Sequence, residues 1–227
     1  MLERRKKLSV LHSSEQELGR YNLSFTASSL RPELARIIAE TYQDCRDWDI
    51  TKTKVLAQNS LQSRTLSSRI RMEREIRQRV QMLTPAQIEL LAQAPSDGRI
   101  AIAWLSMLKS SRFVFDFVAE VLRSKIEGAD LYLRPSDYES FWSIKSVTHP
   151  GLTKISKTTH AKIRQVFHTM LREAGILSPT TDENLISRPV VPHDVLLSII
   201  ADDRKWLAGF LVPDHEIVSN KGYSYGV

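Results

Sequence analysis

The stretch SKTTHAKIRQVFHTMLREAGIL, residues 156–177, reads as one long amphipathic helix with both ends marked. Ser156 is a good N-cap, because its hydroxyl can accept an N–H that the first turn leaves unpaired. Gly175 supplies the left-handed residue that closes a helix. At about 100° per residue, Ile163, Val166, Phe167, Met170, Leu171 and Ala174 gather on one face, at the spacing of a core-facing stripe. Lys157, Ala161, Arg164, His168 and Arg172 gather on the opposite face.

Over residues 140–172 there is no Asp or Glu, although the chain holds 26 of them among 227 residues. Lys145, Lys154, Lys157, Lys162, Arg164 and Arg172 fall in that window, with His149, His160 and His168 between them. A carboxylate beside a phosphate backbone cancels the attraction that drives binding, so an acid-free basic helix is what a polyanion-binding surface requires. The plainer reading is a solvated face of a packed helix, the commoner fate of a charged helix.

The flanks have winged-helix order. Upstream, Ser136 or Asp137 can cap a helix through DYESFWSIKSV, where Tyr138, Phe141, Trp142 and Ile144 or Lys145 recur at helical spacing. His149-Pro150-Gly151 breaks it, and residues 152–155 fit a short second helix. Downstream, two short apolar runs around residues 179–184 predict a small β-hairpin over 176–191. Helix, turn, helix and hairpin is the layout that sets a recognition helix in a major groove beside a wing. Arg188 then sits on the wing, although Pro189 and Pro192 equally suit an irregular loop.

Working outward, residues 1–20 read as a basic, weakly ordered arm. Pro32 suits a first helical turn, followed by the stripe Leu34, Ile37, Ile38 and Tyr42. A second basic concentration follows in Arg64, Arg69, Arg71, Arg74, Arg77 and Arg79. Glu73 and Glu75 are placed to pair with Arg77 and Arg79 at i,i+4, each worth ~0.2–0.5 kcal/mol on an exposed helix. Leu66, Ile70, Ile76, Val80 and Leu83 form its expected buried side. A salt-bridged surface helix accounts for most of this, with Arg64, Arg69 and Arg71 as candidates for a secondary phosphate contact.

Thr84-Pro85-Ala86-Gln87 has the form of a capping-box start. Two apolar helices over 99–109 and 112–125 then supply a bundle centre through Trp104, Leu108, Phe113, Phe117, Val118, Val121 and Leu122. Residues 127–130 make the best internal boundary. The expected architecture is all-α, with a helical bundle over 21–128 and a winged-helix-like domain over 129–227. The latter includes a last helix within 193–210.

A formal charge of +6 and a pI near 9.5 favour an acidic partner such as nucleic acid or an anionic membrane surface. The most apolar stretch, 100–108, falls far short of the ~20 residues a bilayer demands, and residues 8–15 are too short and polar for an export signal. A cytoplasmic, membrane-free protein is expected. Cys45 is the single cysteine, which excludes an intrachain disulfide and a cysteine zinc site. No glycine-rich phosphate loop is present, no histidines pair at i,i+3 or i,i+4, and Asp44, Asp47 and Asp49 read as solvated caps. Enzymatic activity, a cofactor and a metal are all unexpected.

Several segments read together as a family. YNLSFTASSL, Asp47-Trp48, NSLQSRT, FVAEVLRSKI, DYESFW and above all KIRQVFHTMLREAGIL resemble BrxA of the BREX bacteriophage-defence systems, over about residues 21–177. That family was long catalogued as inner-membrane proteins, a label that these residues do not support. The resemblance implies an all-helical, non-enzymatic component working beside a methyltransferase, an ATPase and a phosphatase-like protein. It also implies double-stranded DNA binding and a likeness to helical nucleic-acid-binding proteins such as the NusB antitermination factor. On matching positions the positive face is Lys157, Lys162, Arg164 and Arg172.

The leading expectation is duplex binding by Lys154, Lys157, Lys162, Arg164, His168, Arg172 and Arg188, with the arginine helix as a second contact. A monomer or weak oligomer is expected, with other BREX proteins as further partners. An assembly module and RNA binding are the alternatives.

Overall fold

The computed structural model describes residues 21–57, 65–179 and 184–218. The expected N-terminal arm and Arg64 lie outside the described residues. The helices are α1 (Pro32–Cys45), α2 (Trp48–Ala57), α3 (Leu66–Val80), α4 (Pro85–Gln93) and α5 (Ser96–Ser110). Next, Arg112–Phe117 runs on through a π-helical segment, Val118–Leu122, into Arg123–Glu127, together α6. Then come α7 (Pro135–Thr148), a 3₁₀ turn (Leu152–Lys154), α8 (Lys157–Glu173), α9 (His193–Asp202), a 3₁₀ segment (Arg204–Phe210) and α10 (Asp214–Val218). The described chain is all-helical.

Local chemistry explains the helix ends. Ser156 Oγ accepts from Thr159 N–H at 3.2 Å, and Gly175 closes α8 at φ 73°. Thr84 and Gln87 cap each other reciprocally at α4. Asp47 Oδ1 accepts from the N–H groups of Asp49 and Ile50 at 2.8 Å, which starts α2 at Trp48.

No β-strand forms over 176–191 among the described residues. In place of the expected hairpin there are two isolated antiparallel bridges, Tyr132–Leu185 and Leu177–Ile186. Ile186 N–H donates to Leu131 O at 2.7 Å and Ser187 N–H to Ile176 O at 3.0 Å. The apolar runs are too short to extend a ladder, and Pro189, which lacks an N–H, follows within three residues.

Buried side chains form one cluster from Tyr21 to Val212. Its axis is α5, where Ile102, Trp104, Leu105 and Leu108 are almost wholly excluded from solvent. Phe117 meets Phe141 and Phe167 edge to face at 5.1 and 5.0 Å, which locks α6 to α7 and α8. The last helical segments fold back onto α4, α5 and α6. Trp104 Nε1 donates to Gly209 O at 2.9 Å, and Lys109 pairs with Asp202 at 2.6 Å. Gly209 allows this close approach, since a Cβ there would lie 2.3 Å from the Leu108 side chain and push it aside.

Helix α3 departs from its expected packing. Ile76, Val80 and Leu83 are buried, but Leu66 is 62% exposed and Ile70 40%. Glu73, Glu75 and Arg79 are buried as well, and residues 27–29 lie against Glu75 and Arg79 and offer them polar backbone partners. The two ion pairs form as the spacing predicts, yet they are not exposed. No described helix is long and apolar enough to cross a membrane.

Candidate nucleic-acid interface

Helix α8 buries its apolar stripe of Ile163, Val166, Phe167, Met170 and Leu171. Lys157, Thr158, Thr159, Ala161, Lys162, Gln165 and Thr169 are exposed, and Lys154 is exposed on the preceding 3₁₀ turn. The basic face read from the helical wheel divides in two. Among the described residues, Lys154, Lys157 and Lys162 have no carboxylate partner, and Lys162 Nζ donates to Gln165 Oε1 at 3.1 Å.

The others are engaged by neighbouring elements. Arg164 Nη1 donates to Glu139 Oε1 on α7 at 2.7 Å. Arg172 Nη2 donates to Asn184 Oδ1 at 2.6 Å. Arg188, beyond the bridges, pairs with Glu216 on α10 at 3.4 Å. The His168 ring lies against Tyr138 and Phe167, and burial, then Arg172 and Arg164, push its pKa down to about 4. It therefore carries no charge at neutral pH. Glu139 was invisible to the acid-free reading, because it lies one residue before the window opens. The single acid on α8, Glu173, turns inward and accepts from Ser29 Oγ at 2.8 Å and Leu30 N–H at 2.6 Å.

The arginines of α3 are also unequal. Arg69 donates to Leu56 O at 3.2 Å, and Arg77 pairs with the fully buried Glu73 at 2.6 Å. Arg79 is buried, pairs with Glu75, and donates to Ser29 O at 2.8 Å and Ser28 O at 2.9 Å. Burial pushes the Arg79 guanidinium down and the Glu75 carboxyl up, so this pair bears a desolvation penalty on both sides. Arg71 and Arg74 are exposed, with no carboxylate partner among the described residues. They line a cleft of about 370 Å³ with Ser24, Thr26, Ala27, Glu75 and Gln78. Arg74 belongs to the basic concentration read from the sequence but was not among its candidate phosphate contacts. Residues 28–30 are thus gripped by α3 on one side and by the end of α8 on the other. No group of three or more metal-ligating side chains occurs among the described residues.

The family model for BrxA matches residues 19–203, from before α1 to just past α9. The chain belongs to the BrxA family. Both basic helices lie inside the BrxA match, and the 3₁₀ segment over 204–210 and α10 lie beyond it. The BREX protein BrxA of Bacillus cereus (strain H3081.97) is 26% identical over 150 residues, 66% of this chain and 75% of that protein. The BREX protein BrxA of Escherichia coli O9:H4 (strain HS) is 24% identical over 159 residues, 70% of this chain and 75% of its own length. A crystal structure of an uncharacterized protein from Magnetospirillum magneticum superposes with a TM-score of 0.74 at 16% identity, covering 85% of this chain and 98% of that one. That likeness speaks to the fold alone.

Proposed function

We propose that this BrxA-family chain is a non-enzymatic, double-stranded DNA-binding component of a BREX phage-defence system, acting in the cytoplasm as a monomer or weak oligomer. The observation that carries the reading is the solvent face of α8. Thr158, Ala161, Gln165 and Thr169 line it, Lys154, Lys157 and Lys162 flank it, and none of these lysines has a carboxylate partner among the described residues. The lysines supply phosphate attraction, and short Thr, Ala and Gln side chains are of the size and chemistry that meet base edges or pass close to the backbone.

The order of elements supports this use of the helix. After α6 come the Tyr132 bridge, α7, α8, and then the Leu177 and Ile186 segments. We read this as a winged helix-turn-helix reduced to single bridges, with α8 as the recognition helix. The boundary near Gly128 would then separate it from the helices that support it.

Fluorescence anisotropy of a labelled duplex across a salt series tests the proposal, comparing wild type with Lys154→Glu/Lys157→Glu/Lys162→Glu. Each phosphate contact contributes about −0.9 to the log–log salt slope, so wild type should show a steep slope and the folded triple variant should lose it. Equal binding by the two proteins would remove α8 from the interface. Structured RNA of equal charge should compete poorly, because the A-form major groove is too narrow for a helix.

A second reading, an assembly role with other BREX proteins, draws on Ile144 and Val147 of α7, which are 67% and 81% exposed one turn apart. Co-purification that survives nuclease and high salt, and is lost on Ile144→Ser/Val147→Ser, would favour it.

A further inference from the structure

The cleft between residues 24–27 and α3 has the makings of a ligand site in its own right. At about 370 Å³ it is at the lower end of small-ligand sites, ~300–1,000 Å³. Its lining is polar. Arg71 and Arg74 bring two guanidinium groups, each a planar fork of donors matched to phosphate oxygens. Ser24, Thr26 and Gln78 add hydroxyl and amide groups. The carboxylate in the lining does not oppose an anion, because its charge is already met: Glu75 pairs with Arg79, and its Oε2 accepts from Ala27 N–H at 3.1 Å.

The walls are also fixed. Ala27 N–H is tied to Glu75, and the residues that follow the wall, Ser28 to Leu30, are held by Arg79 and Glu173. A wall tied to α3 and continued by a segment held at two points loses little freedom on binding. Two guanidiniums without a carboxylate partner among the described residues, on a polar cleft whose one acid is already paired, have one evident complement. We propose that the cleft binds a phosphate group carried on an ester, with Arg71 and Arg74 as its principal donors. The volume leaves room beyond the phosphate for the group it esterifies, which is either a nucleotide or a stretch of nucleic-acid backbone. The inference stands beside the α8 reading rather than on it.

The test uses the full-length chain, with the calorimetry run at constant ionic strength. Titration calorimetry with inorganic phosphate and with a deoxynucleoside monophosphate reads the free-ligand source, and duplex anisotropy over a salt series reads the backbone source. Two variants are compared with wild type: Arg71→Ala/Arg74→Ala, which removes the donors, and Gln78→Trp, which fills the cleft and keeps the charge. All of these positions are solvent-facing, and circular dichroism checks the fold.

If the source is free, wild type binds the monophosphate saturably and both variants weaken it at least about tenfold, the loss expected for charge-assisted hydrogen bonds. If the source is backbone, both variants lower the duplex salt slope by ~0.9, one phosphate's worth. Wild-type monophosphate binding without duplex binding would sink the α8 reading and leave the cleft standing. A steep wild-type duplex slope, unchanged in both variants and accompanied by no saturable phosphate binding, would overturn the cleft and leave α8 standing.

Discussion

Two basic helices in this chain treat their charges differently. On α3 the acids sit on the helix itself: Glu73 and Glu75 take up Arg77 and Arg79, both pairs are largely buried, and the second lies against residues 27–29. On α8 the single acid faces the opposite way, toward Ser29 and Leu30, and the carboxylate that meets Arg164 comes across from α7. Charge density along the sequence therefore locates the basic residues without saying which remain available. On α3 those are Arg71 and Arg74, and on α8 they are Lys157 and Lys162.

The comparison breaks most readily at Arg79. Arg79→Ala would strand the Glu75 carboxylate and two carbonyls in the interior, and should cost ~3–5 kcal/mol. Arg71→Ala, on the same helix but exposed, should stay within about 0.5 kcal/mol. Urea unfolding of the two variants measures both. Similar midpoints would mean that burial does not separate these arginines.

The next effect concerns His168. Its folded pKa is pushed down to about 4, against about 6.5 when unfolded, so between those values the unfolded chain binds more protons. Stability is fully present above pH 6.5 and drains as the pH falls toward 4, by at most ~3 kcal/mol. His168→Asn should flatten that part of the pH–stability curve. A wild-type curve level over the window would show that the ring is not excluded from water.

The smallest effect sharpens the picture of α8. Glu139→Gln releases Arg164 from a half-exposed pair and should change stability by less than ~1 kcal/mol. The freed arginine should steepen the duplex salt slope by up to ~0.9. An unchanged slope would place Arg164 outside the interface.

What the sequence disclosed was local. Ser156, Gly175 and the Thr84–Gln87 box act within a turn or two of chain, and the stripe from Ile163 to Leu171 follows from helical periodicity, so each is readable in order. The partners of Arg164 and Arg172, and the Ser29 carbonyl that Arg79 holds beside Glu75, come from 25, 12 and 50 residues away, and no spacing rule predicts them. His168 fell on the basic side of a wheel, but a wheel does not know that α7 packs against that edge. The hairpin was half legible, since its apolar runs do meet, but only at single bridges.

Ser28, Ser29 and Leu30 leave the ribosome early, and the groups that hold them leave much later. Arg79 follows Ser29 by 50 residues, and Glu173 follows Leu30 by 143. During synthesis this segment must wait through most of translation for its second clamp. Helices α1 to α5 can assemble with it held from one side only, and the clamp closes when α8 emerges. Contacts this distant in sequence carry the loop-closure entropy that slows folding. Completion of the strap is therefore a late event, and in a chain stalled before Glu173 the segment would have only its Arg79 clamp.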